Sequence, residues 1–251
     1  MIAAIFAATA RHRRFILVVG VVMSAGYGVA RWLMPSLGRQ LFPFQGVVVL
    51  VFALLALIGW VRQRPAAFVV QQRVPSFNAP ASGAAVYHAL FLFGLFVQQV
   101  ELLVRMIHSR HLWWPFSFTG VLGLVLVGLL VAGAWRGLGV QLRPDGLRDR
   151  DVLGSFPVPW DALPVAHPPT HNNKTTLRLR YARPELVRRR GLSLSRSLLR
   201  ADNIDARFLA AAIRHYVTHP EHRTAIGTEA EYHRLLHALA ETTGTRDDNA
   251  G

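Results

Sequence analysis

Three groups of side chains in this 251-residue chain have the types and spacing to do chemistry. Histidines recur at metal-ligand spacings: His108 with His111, His215 with His219 and His222, and His233 with His237. An i, i+4 pair shares a helix face and can offer two imidazoles to one ion, but no HExxH accompanies them and no acidic ligand is placed to complete either site. They read as surface or capping histidines, and no metal is expected. The second group is cationic: Arg178, Arg180, Arg183, Arg188, Arg189 and Arg190 crowd one stretch. Beside a cytoplasmic leaflet each would add about 1 kcal/mol of attraction to anionic lipid. The plainer reading is a solvated loop. Nucleic acid is not expected, because no stacking aromatics are interleaved with the arginines.

The third group is polar and sits in an apolar stretch: His88, Gln98, Gln99 and Glu101. Ionisable groups in lipid are costly and raise a functional question, although Glu101 can pair with Arg105 one turn on. An interfacial ion pair is the cheaper account, and transport the alternative. There is no nucleotide-binding glycine loop, no GxSxG and no convincing carboxylate pair, so neither an enzyme nor a cofactor is expected. With no cysteine there are no disulfides or thiolate ligands.

The elements that must position these groups divide the chain in two. Hydrophobic residues make up 52% and charged ones only 17%, a membrane-type composition, while the net charge of +14 is distributed unevenly. Glu101 is the only acidic residue before Asp145; afterwards Asp and Glu mix with Arg, and Lys174 is the only lysine. Four apolar stretches, near 15–34, 44–61, 84–104 and 117–135, approach the length that crosses a bilayer. Arg11, Arg13 and Arg14 precede the first, and Arg62, Arg64 and Arg73 lie between the second and third. By the positive-inside rule both termini face the cytoplasm of a cell (inner) membrane. Trp113, Trp114 and Phe116 suit an interfacial belt on the other side. The first stretch also resembles a secretory leader, but its removal would leave three spans and the same C-terminal side. Gly20, Ser24 and Gly28, four apart, predict close helix packing within the bundle or against a partner, a second copy included.

From 137 the texture becomes short alternating runs with turn signals, which predicts a compact domain of five to seven strands over 137–226. GVQLRPDGL turns at Pro144, Asp145 and Gly146; Phe156, Val158 and Trp160 alternate with Pro157 and Pro159; Leu177, Leu179 and Tyr181 alternate with Arg178 and Arg180; Leu192 and Leu194 repeat the pattern. NIDARFLAAAIRHYV then carries one apolar stripe, capped by Asp202 or Asn203 and stopped by Pro220. A second helix opens with a Thr228 to Glu231 capping box, and TTGTRDDNAG reads as a disordered tail within 227–251.

PDGL at 144–147, LG at 153–154, VPWDAL at 158–163 and the helix ending RHYVTHPEHR at Arg223 together resemble a bacterial, actinobacterial-type PH-like domain joined to membrane spans. The resemblance covers roughly the last 100 residues. It implies a bent antiparallel sheet or partly open barrel capped by a C-terminal helix, following a four-span bundle at 1–136. It also implies a binding or scaffolding module facing membrane lipids or a protein partner at the cytoplasmic leaflet. Trp160 would be structural, buried under the helix, with Pro157 and Pro159 blocking further pairing. RPDGLR is too tight for the basic loop with which relatives hold inositol phosphates. The alternative function is a small transporter or channel subunit with a regulatory soluble domain.

Overall fold

The computed structural model describes residues 2–248 apart from 63–64, 109–112, 153, 166–169, 174, 188–189 and 192–197. The chain forms two compact units, Met1–Gln63 with Ser82–Gly137, and Arg64–Ala81 with Leu138–Gly251.

The first unit is helical: α1 (Ile2–Arg11), α2 (Arg13–Leu33), α3 (Pro35–Arg62), α4 (Gly83–His108) and α5 (Trp113–Arg136). Four segments are long and apolar enough to cross a membrane: Arg13–Leu33, Ser36–Val61, Gly83–Val100 and Phe118–Arg136. The helices overrun the expected spans, most of all α3, which starts at Pro35 and carries Pro43 in its interior. Proline is tolerated at a first helical position because that N–H has no intrahelical partner, so the break falls at Met34 and not at Pro43. Helix α1 was not anticipated. It packs Phe6 edge-to-face on Tyr87 of α4 at 5.5 Å, and Thr9 Oγ1 lies 2.6 Å from Tyr87 Oη. The small-residue stripe of α2 faces α4: a Cβ at Gly20 would meet Leu90 and one at Gly28 would meet Val97. The interior is thin, and Phe15, Val22, Met23, Trp32, Leu57, Trp60 and Val121 lie exposed on the outside. This outward apolar surface accompanies the four segments that are long and apolar enough to cross a membrane.

The second unit is a sheet-and-helix fold. Its strands are β1 (Val69–Gln71), β2 (Ser76–Asn78), β3 (Gly139–Arg143), β4 (Gly146–Arg150), β5 (Gly154–Pro159), β6 (Thr170–Asn173), β7 (Thr176–Arg178), β8 (Arg190–Gly191) and β9 (Leu198–Arg200), followed by α6 (Ala206–Thr218) and α7 (Glu229–Asp248). One sheet runs β1-β2-β3-β4-β5-β8 and the other β6-β7-β9, with every described pairing antiparallel.

This corrects the expected boundary at 137, because the segment between the second and third spans supplies two strands of the large sheet. Phe77 faces Leu142 in register, and the Ala79 N–H donates to the Val140 carbonyl at 2.8 Å. Phe77 is fully buried, 5.5 Å from the Tyr232 ring and 6.4 Å from Tyr216; Phe68 packs on Phe208 at 5.1 Å. The hairpin turn lies against the link between α6 and α7. Gly227, at φ +100°, leaves no room for a side chain: a Cβ there would sit 2.6 Å from Pro75 Cα and from the Ser76 nitrogen.

Helix α7 belongs to the same core through Leu235 and Tyr232, and it continues to Asp248, so the expected tail begins in helix up to that point. No proline interrupts 229–248, which lets the helix run on.

The alternation in 154–160 is realised with one change. Phe156 and Val158 are buried on β5, whereas Trp160 opens a 3-10 turn, Trp160–Ala162, yet still points inward. Strand β5 pairs with β4 along its length and, among the described residues, with β8 at Gly154 and Ser155. Beyond Ser155, Pro157 and Pro159 lack the N–H groups a second neighbour would need. Gly146, at φ +151°, pairs with Pro159, and a Cβ there would strike the Val158 carbonyl oxygen.

Helix α6 is capped by Asp205, which accepts from the Arg207 and Phe208 N–H groups at 2.9 Å. The expected caps have other roles. Asp202 pairs with Arg200 at 2.8 Å, and Asn203 Nδ2 donates to the Leu138 carbonyl. An extra residue pair before the apolar stripe gave three acceptors to choose from, and the one two residues before the second N–H is the one used.

Candidate functional site

Of the arginine group, Arg178 ends β7 and Arg180 and Arg183 follow it, all three exposed, while Leu177 and Leu179 between them are buried. Arg188 and Arg189 lie outside the described residues, as do Leu192 and Leu194; Arg190 opens β8, and its side chain is also outside the description. Arg178 therefore points outward at the end of a strand whose Leu177 is core, and Arg180 and Arg183 are exposed in the segment after it.

In the helical unit, His88 is half-buried with its ring 6.4 Å from Phe91, and Gln99 is exposed. Gln98 holds a buried Nε2 without a hydrogen-bond partner among the described residues, and the Glu101 and Arg105 side chains lie outside them. Two further polar groups escaped the sequence reading. Tyr27 Oη on α2 and Gln45 Nε2 on α3 are likewise buried without a partner. A helical pattern marks which residues face inward only when polar and apolar positions contrast, and α3 is apolar nearly all round.

Around Trp160 the contacts are dense. Its Nε1 donates to the Arg143 carbonyl at 2.9 Å, its ring lies 5.8 Å from Tyr216 of α6, and the Arg223 guanidinium stands 5.6 Å over it. Arg223 Nε also donates to the Tyr216 carbonyl at 2.7 Å and so closes the C-terminal end of α6.

On the other side of Tyr216 the structure assembles a corner of polar groups. Three imidazoles stack there: His215 and His219 at 4.7 Å, His219 and His222 at 5.4 Å, and His215 and His222 at 5.3 Å. The spacing follows from the local chain. His215 and His219 are one turn apart on α6 and its cap, and Pro220 starts a 3-10 turn, Pro220–Ala225, that folds His222 back beneath them. His215 Nε2 and His222 Nδ1 are 3.2 Å apart.

Facing them is Glu231, only 1% exposed. The capping box is half formed: Thr228 Oγ1 accepts from the Glu231 N–H at 3.2 Å, but the Thr228 N–H donates to Ala225 and the carboxylate turns inward. There it accepts from Tyr216 Oη at 3.2 Å and from Arg234 Nη1 at 2.7 Å. Burial, and then this carboxylate, push the Tyr216 hydroxyl well above its ordinary range. Burial, followed by His219 and His222, lowers His215 to about 4, so its imidazole is neutral at pH 7. The acidic partner that sequence spacing left missing is thus supplied from the next helix. Only its position three after Thr228 drew attention to Glu231, and that pointed to a cap.

A second acid, half-buried, lies on β4. Burial raises the Asp149 carboxyl to about 6, opposed by a hydrogen bond from the Arg200 backbone and by the Arg200 charge.

Compared with family models, with curated proteins and with solved structures, the chain matches none.

Proposed function

We propose that this is a multi-pass inner-membrane protein whose sheet-and-helix unit, a PH-like domain, acts as a binding or scaffolding module on the cytoplasmic leaflet. One observation carries the reading. Strands β2 and β3 pair directly, yet α4 and α5 lie between them in the chain. Paired strands share one side of a membrane, so an even number of crossings must separate them, and these two apolar helices supply it.

The chain passes between the two units three times, at 63/64, 81/82 and 137/138, so the sheet-and-helix unit is covalently tethered to the apolar helices at each passage. Orientation follows from charge: Arg11, Arg13, Arg14, Arg62, Arg64, Arg73 and Arg136 fall on the side of the sheet by connectivity, against Arg31, Arg39, Arg105 and Arg110 on the other. Antiparallel strands followed by a helix that covers Trp160 support the PH-like assignment. Exposed Arg178, Arg180 and Arg183 offer an anionic-lipid contact of about 1 kcal/mol each.

The test uses the full chain in nanodiscs of zwitterionic or anionic lipid, with amide hydrogen exchange followed over 176–187. Slower exchange on anionic lipid, reversed by salt and by alanine at Arg178, Arg180 and Arg183, supports a leaflet contact. Equal exchange on both lipids removes it and leaves this face to a protein partner.

A second reading, a small transporter or channel subunit with a regulatory soluble unit, is favoured by the unpartnered Tyr27, Gln45 and Gln98 on three spanning helices. Polar groups without partners in hydrocarbon are costly, and they are found where water or a solute is admitted. Leucine at Gln45 and Gln98 together would abolish solute flux in proteoliposomes on that reading and leave the lipid response above intact.

A further inference from the structure

We infer that His215, His222 and Glu231 form a binding site for a divalent transition-metal ion of the zinc class. The donor atoms of these three side chains all lie within 4.8 Å of one another, and they come from three successive elements: α6, the 3-10 turn and α7.

Two imidazole nitrogens and one carboxylate oxygen are the borderline donor set that Zn2+ accepts with a fourth position left to water. Metal–ligand bonds near 2.0–2.1 Å in a tetrahedron place neighbouring donors roughly 3.3 Å apart. His215 Nε2 and His222 Nδ1 already stand 3.2 Å apart. A direct hydrogen bond between the rings accounts for that pair alone, but not for a carboxylate at 1% exposure turned toward them. Glu231 keeps its other contacts, Tyr216 Oη on Oε1 and Arg234 on Oε2, and a carboxylate has lone pairs enough to add a metal.

The surroundings suit the assignment. The other nitrogen of His222, Nε2, lies 4.0 Å from the exposed Glu221 carboxylate, an electrostatic neighbour of the imidazole and not a hydrogen-bond partner. His219 stacks on both rings, with its Nδ1 held by Thr218 Oγ1 and the His215 carbonyl. A bound ion would tie the end of α6 to the start of α7, next to the turn where Gly227 meets the β1–β2 hairpin.

The experiment is a titration of the full chain in detergent, stripped with chelator, against Zn2+ and then Co2+. The expected result is one ion per chain, a rise in melting temperature on adding Zn2+, and the intense visible bands of a four-coordinate Co2+ complex. His222→Gln, at a partly buried position, should weaken binding more than about 100-fold. His237→Gln should change nothing. No stoichiometric binding at micromolar metal would overturn the inference. So would binding left intact by His222→Gln and by His215→Gln, since the ion would then sit on other histidines.

Discussion

The two units bury their side chains against different surroundings. The sheet unit has a continuous core from Phe68 to Leu235 in which Phe77, Leu142, Leu177, Ile213 and Tyr216 lose all contact with solvent. Inside it Trp160 has Arg143 as partner and Glu231 has Tyr216 and Arg234. The helical unit has two small clusters and a broad apolar exterior, and each unit buries three polar atoms without a partner among the described residues, on Tyr27, Gln45 and Gln98 in the helical one and on Asn78, Arg143 and Thr176 in the sheet one. Water makes the first kind of core worthwhile, because burial there removes apolar area from a poor solvent. In hydrocarbon that drive is absent, and helices associate through close packing of small residues such as Gly20 and Gly28 and through a few hydrogen bonds.

If this contrast holds, equivalent deletions should cost far more in the sheet unit. Phe77→Ala removes the side chain that joins the inter-span hairpin to the core, and should cost about 3–5 kcal/mol. The check is the denaturation midpoint of the full chain in detergent, followed at Trp160. By the same reasoning a fragment starting at Gly137 lacks β1, β2, Phe68 and Phe77 and should be unfolded by near-ultraviolet circular dichroism.

Gly227→Ala comes next. A positive φ and a Cβ against the Pro75 backbone should together cost about 1–3 kcal/mol. Protease cleavage in the 72–75 turn should accelerate accordingly.

Asp149 sharpens the comparison through pH. Its folded value near 6 lies above the ordinary 3.8, so the folded state holds this proton more tightly than the unfolded chain. That contribution is complete below about pH 4 and is lost as pH rises through 6, amounting to about 3 kcal/mol. Asp149→Asn should therefore be more stable than the wild type at pH 7, with the advantage shrinking toward pH 4. Paired urea melts across that range measure the difference.

The smallest effect belongs to the helical unit. Tyr87→Phe deletes the hydrogen bond with Thr9 and should cost only about 0.6 kcal/mol, because the separated helices find other partners in lipid. A loss as large as that of Phe77→Ala would erase the contrast.

Much of this was legible from residue order. The four long apolar helices, the in-and-out alternation at Leu177 and Leu179, the inward Trp160 and the two C-terminal helices follow from periods of two and 3.6 that burial imposes. What escaped were features decided by distant partners. Strands β1 and β2 are three residues each and flanked by arginines that mark an ordinary cytoplasmic loop, so nothing local signals that Phe77 completes a sheet begun at 139. The histidine corner was hidden for the same reason: Glu231 has a sound local role as a cap residue, and only the fold of 220–231 turns it toward His215 and His222. The cap at Asp205 was missed among three adjacent candidates, where local chemistry does not discriminate.

The pairing of β2 with β3 across two spans carries the architecture and can be tested by a single cross-link. Because the Ala79 N–H bonds the Val140 carbonyl, Asn78 and Gln141 form the adjacent non-hydrogen-bonded pair, with Cα atoms about 4.5 Å apart, close enough for a disulfide. The chain has no cysteine, so Asn78→Cys with Gln141→Cys gives an unambiguous readout by mass spectrometry in native membranes. The account predicts rapid disulfide formation for this pair and none when Gln71→Cys replaces the first member. No cross-link at 78/141, or thiols labelled from opposite sides of the membrane, would contradict it.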